Sequence, residues 1–159
     1  MSMMFHGSYE NFPVHFMLRG RGASYHEDWS VLSHYEALHL HKPVWALAHK
    51  DAVFMCASID DIDLCGGATE NVILLEPVGE VTRHDLNWSG KITLLLESGS
   101  DVHSPEVREL VMNYWCGIPT EDPLWEFITD EAKVIACAPY EDADVLMAFM
   151  DEESGIEFL

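Results

Sequence analysis

Met4-Phe5-His6-Gly7-Ser8 sets a histidine at the point where an apolar strand, Met3 to Phe5, is expected to give way to a turn of small residues. An imidazole there can donate or accept a hydrogen bond at a ligand. Gly7 has no Cβ, so a planar ligand can come close to its backbone N–H and C=O. Ser8 adds a hydroxyl on the same turn. The plainer alternative is a strand end with a turn glycine.

Outward from that stretch, Asn71-Val72-Ile73-Leu74-Leu75 is the clearest strand of the chain. A continuous apolar run flanked by turn signals predicts a buried central strand. Glu76-Pro77-Val78-Gly79 then forms a rigid kink that can aim Thr82-Arg83-His84-Asp85. Ser104-Pro105-Glu106 is a strong helix start, and Val107, Leu110, Val111 and Tyr114 share one face before Gly117 stops the helix. A second helix is predicted from Asp28, its cap, to His41, with Val31, Leu32, Tyr35 and Leu38 at helical steps. Lys42 to Ala48 predicts a short strand opened by Pro43, with a helix from His49 to Ser58 packed behind it. Lys91 to Leu96 reads as a β-rich run, and strands follow at Trp125 and at Lys133 to Ala138. An acidic helix from Glu141 to Met150 and an edge strand from Gly155 to Leu159 close the chain. Residues 9–27, with Arg19-Gly20-Arg21-Gly22 at their centre, read as a loop, and 60–69 as an acidic, glycine-rich connector.

A chain of 159 residues with 48% hydrophobic content is long enough to bury a real core, and one domain is expected. No apolar run has the length of a membrane span, and a basic-then-apolar leader is missing, so a cytoplasmic protein without a membrane role is expected. Cys56, Cys65, Cys116 and Cys137 show no CxxC spacing and are expected to be reduced, mostly buried thiols. His34, His39 and His41 form no recognised ligand set with Cys56 or Cys65, so no metal is expected. Eight basic residues stand against 28 acidic ones, net −20. That field disfavours direct binding to nucleic-acid phosphates. It suits docking on a basic surface, or it serves solubility alone. The acid is densest from Glu141 to Glu157.

The His6-Gly7-Ser8 opening resembles that of the NAD-dependent mono-ADP-ribosyltransferases of the diphtheria-toxin-like branch, which includes the rifampin ADP-ribosyltransferases. Met1 to Glu10 also look like the start of phage anti-CRISPR members of this type, which act on type I-F surveillance complexes. Pro43-Val44-Trp45-Ala46 followed by Asp51-Ala52-Val53-Phe54 is similar to the family's second signature, with Trp45 where a tyrosine is usual. Tryptophan can stack on nicotinamide but offers no phenol oxygen. The strand at Asn71 with Glu76-Pro77-Val78-Gly79 resembles the rifampin-modifying members, and by that likeness Asp85 is the catalytic acid. Tyr114 to Phe127 resembles a late aromatic and glycine segment that ends in Trp-Glu, which makes Glu126 the rival acid.

The resemblance implies an α+β domain over residues 1–159, with two packed, mostly antiparallel sheets around an NAD cleft and peripheral helices. It implies transfer of ADP-ribose from NAD, the substrate, to a protein, with a basic subunit of a CRISPR surveillance complex as the sensible target. His6 would hold a ribose hydroxyl, the Gly7 backbone the nicotinamide amide, and Trp45 the ring. Ser8 lies on the same turn, and Arg19 suits a pyrophosphate. Asp85 or Glu126 would stabilise positive charge on the ribose. Two rivals stand beside this reading. One is an acidic, stoichiometric binding protein of the DNA-mimic kind on a degenerate transferase fold; the other is a toxin or drug-modifying ADP-ribosyltransferase.

Overall fold

The structure, a computed structural model, describes residues 3–22, 34–64 and 68–148. It is a mixed α/β chain with two sheets and few helices, an α+β arrangement. Contacts divide it into two compact units. The first comprises Met1–Arg19, Val53–Val81 and Ile128–Leu159; the second comprises Gly20–Ala52 and Thr82–Phe127.

The first unit is built on a four-stranded antiparallel sheet. Its strands are β1 (Met4–Ser8), β2 (Met17–Arg19), β4 (Asn71–Pro77) and β7 (Glu131–Pro139), ordered β1-β4-β7-β2. Strand β3 (Val53–Met55) belongs to a second, three-stranded sheet with β5 (Thr82–Asp85) and β6 (Trp125–Thr129), ordered β3-β6-β5. As expected, β4 is the central strand: Val72, Ile73, Leu74 and Leu75 are each 0% exposed. Val72 and Leu74, on one face, pack with Phe5, Cys56, Ile62 and Leu146. A strand buried on both faces needs no polar alternation, which is why this run reads as continuously apolar.

The break expected after His6 does not occur. β1 continues to Ser8, and its register runs from Met4 opposite Leu75 to Ser8 opposite Asn71. A full ladder to β4 outweighs the weak strand preference of one glycine. Phe5 also exchanges backbone hydrogen bonds of 2.9 Å each way with Cys56, on the side away from β4. The expected loop over 9–27 contains β2, which pairs with β7. The kink at Pro77 is held by the turn between β6 and β7: Val78 N–H donates to the Glu131 carbonyl at 2.9 Å. A Cβ at Gly79 would meet the Asp130 carboxylate, which would have to turn aside.

The second unit holds α1 (His34–Leu40), α2 (Asn87–Glu97) and α3 (Pro105–Trp115). The start of α3 is as read: Ser104 accepts from the Val107 N–H, Pro105 follows the cap, and Gly117 sits beyond the end at φ 70°. Lys91 to Leu96 is helical, not β. Ser89, Ile92 and Leu96 are the buried positions of α2, at helical three- and four-residue steps, so the apolar run from Leu94 to Leu96 misled the period. The strand expected over Lys42 to Ala48 is a turn. Lys42 Nζ closes it by donating to the carbonyls of Pro43 (3.0 Å) and Ala46 (2.8 Å). The helix expected from His49 to Ser58 is replaced by one 3-10 turn, His49–Asp51, and then β3. The acidic connector carries a 3-10 turn, Ile59–Leu64.

Of the predicted helix from Asp28, only α1 falls within the described residues; its cap and its first apolar positions lie outside them. Residues 144–148 are helical, whereas the edge strand at Gly155–Leu159 lies outside the described residues. Among the described cysteines Cys56 is buried, Cys137 half-buried and Cys116 exposed, so burial of the thiols is only partial.

Thr129 carries a cost that can be measured. Its residue is 0% exposed, and its Oγ1 finds no hydrogen-bond partner. A buried hydroxyl without a partner costs about 1–3 kcal/mol. Thr129→Val removes the hydroxyl and keeps the shape. It is expected to stabilise the protein by about 1 kcal/mol, raising Tm by about 2–4 °C in a thermal melt.

Candidate functional site

The residues singled out in sequence fall in both units. His6, Gly7, Ser8 and Arg19 belong to the first unit, and Trp45, Asp85 and Glu126 to the second.

In the first unit the His6 side chain is fixed by its neighbour strand. Its Nδ1–H donates to the Phe54 carbonyl at 2.6 Å, and in the neutral ring that leaves Nε2 as the acceptor. Backbone groups in an antiparallel strand alternate in direction. Phe5 sends both its N–H and its C=O toward Cys56, so Gly7, two residues on, directs its own pair to that same side, away from β4. The His6 backbone is turned the other way. Ser8 Oγ accepts from the Glu10 N–H at 3.0 Å, which closes the turn after β1. Arg19 is on strand β2 and its guanidinium pairs with Glu131 at 2.6 Å. Its positive charge is already matched by a carboxylate.

In the second unit Trp45 sits on the lysine-closed turn and is 64% exposed, beside a fully exposed Val44. It fills no core. Asp85, by contrast, is 0% exposed and accepts four hydrogen bonds. Its Oδ1 takes the N–H of Asn87 (3.0 Å) and of Leu124 (3.1 Å); its Oδ2 takes the Thr120 N–H and hydroxyl, both at 2.7 Å. Burial pushes this carboxyl upward, but the hydrogen bonds, led by those from Thr120, outweigh it and hold the pKa below the ordinary value. Both oxygens are thus engaged in clamping the 117–124 loop to the start of α2.

Glu126 has the opposite balance. Burial raises its pKa to about 7, and the Tyr114 hydroxyl, donating to Oε1 at 3.2 Å, offsets that only in part. The Tyr114 hydroxyl is also 3.0 Å from His49 Nε2. The three groups make a continuous buried chain, carboxyl to phenol to imidazole. His84 stacks on the Tyr114 ring at 4.8 Å, donates from Nδ1 to the Tyr114 carbonyl at 2.8 Å, and lies 2.9 Å from the Thr82 hydroxyl at Nε2. Burial lowers the His84 pKa and keeps the ring neutral, so Nε2 accepts from Thr82. Trp115 closes the cluster, 5.1 Å from the His49 ring and 5.5 Å from the His84 ring. Its indole N–H donates to the Leu38 carbonyl at 3.0 Å.

Tyr114, His49 and His84 were not legible as site residues. Tyr114 reads as one more apolar-face position of α3, and the two histidines lie 35 residues apart with no motif between them. Among the described residues no group of three or more His, Cys, Asp or Glu side chains is arranged to hold a metal ion.

The chemistry of this cluster sets a pH dependence. Glu126 binds its proton more tightly folded than unfolded, so its contribution is fully present below about pH 4.5 and is lost as pH rises to about 7. His84 works in the opposite sense, and its contribution is full above its unfolded value of 6.5 and lost on acidification. The Asp85 contribution is present above its unfolded 3.8 and lost in stronger acid. Glu126→Gln cannot ionise. Relative to wild type it is expected to gain about 3 kcal/mol between pH 4.5 and pH 8, read as the change in stability difference across denaturant melts. Comparison of the chain with protein-family models, with curated proteins and with solved structures finds no match.

Proposed function

We propose that the protein is an NAD-dependent mono-ADP-ribosyltransferase that modifies a protein. The observation that carries the reading is the arrangement on β1. The Gly7 N–H and C=O face one side together, a donor and acceptor pair that matches a primary carboxamide such as that of nicotinamide. Beside them the His6 ring is fixed through Nδ1 to the Phe54 carbonyl.

In this reaction the bond between nicotinamide and ribose breaks, nicotinamide leaves with the electron pair, and a nucleophile of the acceptor protein attacks the ribose carbon and loses its proton. The transition state carries positive charge on the ribose, so the protein's contribution is positioning and a nearby carboxylate. Of the two candidate acids, Asp85 has both oxygens engaged by four donors, while Glu126 has one phenol at Oε1. Glu126 is therefore the stronger candidate. Trp45, exposed on its turn, is suited to stack on a planar ring. Arg19 is the weaker part of the reading, since Glu131 neutralises it.

The N-terminal resemblance makes a phage inhibitor of bacterial immunity the favoured setting. A basic subunit of a CRISPR surveillance complex is then the acceptor that a net charge of −20 would find.

The same charge favours a second reading, a stoichiometric binding protein that covers a nucleic-acid-binding surface. Labelled NAD in host lysate separates the two. Wild type at catalytic amounts is expected to release nicotinamide and label a host protein. His6→Ala and Glu126→Gln are expected to lose about 100-fold or more of that rate, with thermal melts showing that both variants fold. Absence of label and of NAD binding, with inhibition that needs one copy per target and fades steeply with added salt, would establish the binding protein instead.

A further inference from the structure

Residues 140–148 are held to the first unit along one side. Ala143 and Leu146 are buried in the cluster that also holds Phe5, Ile62, Val72 and Leu74. Two backbone hydrogen bonds of 2.9 Å pin the segment, from the Tyr140 N–H to the Glu70 carbonyl and from the Leu146 N–H to the Ala143 carbonyl. Yet three large apolar side chains of the same segment stand in water: Tyr140 is 46% exposed, Val145 62% and Met147 43%. The 3-10 turn Ile59–Leu64 is anchored in that cluster too, through Ile62 with Ile59 packed against it.

One sign of charge runs through this apolar face. Glu141, Asp142 and Asp144 are exposed between the three apolar side chains, and Asp60 and Asp63 are exposed on the 3-10 turn. No Lys, Arg or His occurs in residues 57–63, 68–70 or 139–148. Among the described residues the ion pairs are made elsewhere in the unit, by Arg19 with Glu131 and by Lys133 with Glu76. We propose that this face docks a basic amphipathic segment of a partner protein. Tyr140, Val145 and Met147 would meet that segment's apolar side chains, and the carboxylates between them its Lys and Arg.

Acid placed for solubility alone needs no tyrosine, valine and methionine in solvent beside it. Apolar side chains interleaved with carboxylates match a segment whose own cations are interleaved with apolar groups. Tyrosine brings a rigid ring with a polar end, and methionine an unbranched chain that adapts to its neighbour; both are enriched where proteins meet. The net charge of −20 steers a basic partner from a distance, and the apolar contact then sets how long it stays. Docking here goes beyond the transferase reading. None of these side chains is a candidate for holding NAD, and binding needs no turnover.

The test titrates the full chain, without NAD, with three synthetic peptides of equal length: an amphipathic leucine–lysine peptide, oligolysine, and the leucine–glutamate counterpart. Affinity is read by calorimetry and the contact by amide NMR. The leucine–lysine peptide is expected to bind and to move the signals of residues 59–63 and 140–148. Oligolysine is expected to bind about 10-fold more weakly or worse, and the leucine–glutamate peptide not at all. Val145→Asn combined with Met147→Gln is expected to weaken the leucine–lysine peptide about 10-fold with Tm unchanged, since both side chains are exposed. Asp142→Asn combined with Asp144→Asn is expected to weaken it and to flatten its salt dependence. Leu94→Gln, which alters an equally exposed apolar side chain of the second unit, is expected to leave binding as it is. Equal affinity for oligolysine and the leucine–lysine peptide would reduce the effect to the overall charge and overturn the proposal. Signals that move elsewhere in the chain would do the same. Self-association in sedimentation that the Val145 and Met147 changes abolish would assign the face to a second copy instead. If the Val145 and Met147 variant fails to fold, the wild-type ranking of the three peptides decides.

Discussion

A carboxylate taken out of water has to be given donors, and the second unit meets that demand in two opposite ways. Asp85 receives four, three from backbone N–H groups that would otherwise be orphaned around the start of α2 and the 117–124 loop. Its charge is secure, and the loop geometry follows from it. Glu126 receives one phenol, and burial wins. The first carboxyl fixes where the chain leaves α3 and re-enters a strand; the second lies within hydrogen-bond reach of the Tyr114 hydroxyl.

Burial of polar groups also decides which parts of the fold could be read from sequence. β4 was legible because a strand covered on both faces has a composition that few other elements share. α3 was legible because its cap, its proline and its terminal glycine each act within one turn of chain. α2 was not. Its helical spacing rests on Ser89, Ile92 and Leu96, but Leu94 and Leu95 fill the positions between with equally apolar side chains, and a serine marks the buried face. The turn after α1 was misread for a related reason. Val44 and Trp45 look like strand residues, yet a local lysine satisfies the carbonyls of Pro43 and Ala46 and leaves both side chains in solvent.

The candidate site was legible only in part. Asp85 and Glu126 could be named as acids, but whether an acid is clamped or poised depends on donors 35 residues away in sequence, such as Thr120, and on a phenol whose role a helical face conceals. His49 and His84 carried no sequence signal, because what gives them meaning is the ring and hydroxyl of Tyr114. Burial and pairing are properties of the fold, and residue type alone does not encode them.

One departure from the expected fold fixes the backbone beside His6. A turn at Gly7 would leave its N–H and C=O free to reorient, and a ligand would have to bear the entropy of fixing them. A strand fixes them before any ligand arrives. In β1 the alternation of an antiparallel ladder sends the Gly7 pair one way and the His6 backbone the other, while the Phe54 carbonyl holds the imidazole through Nδ1. Glycine in that strand sacrifices some β-propensity, and the close approach its missing Cβ permits is a physical reason for its presence there.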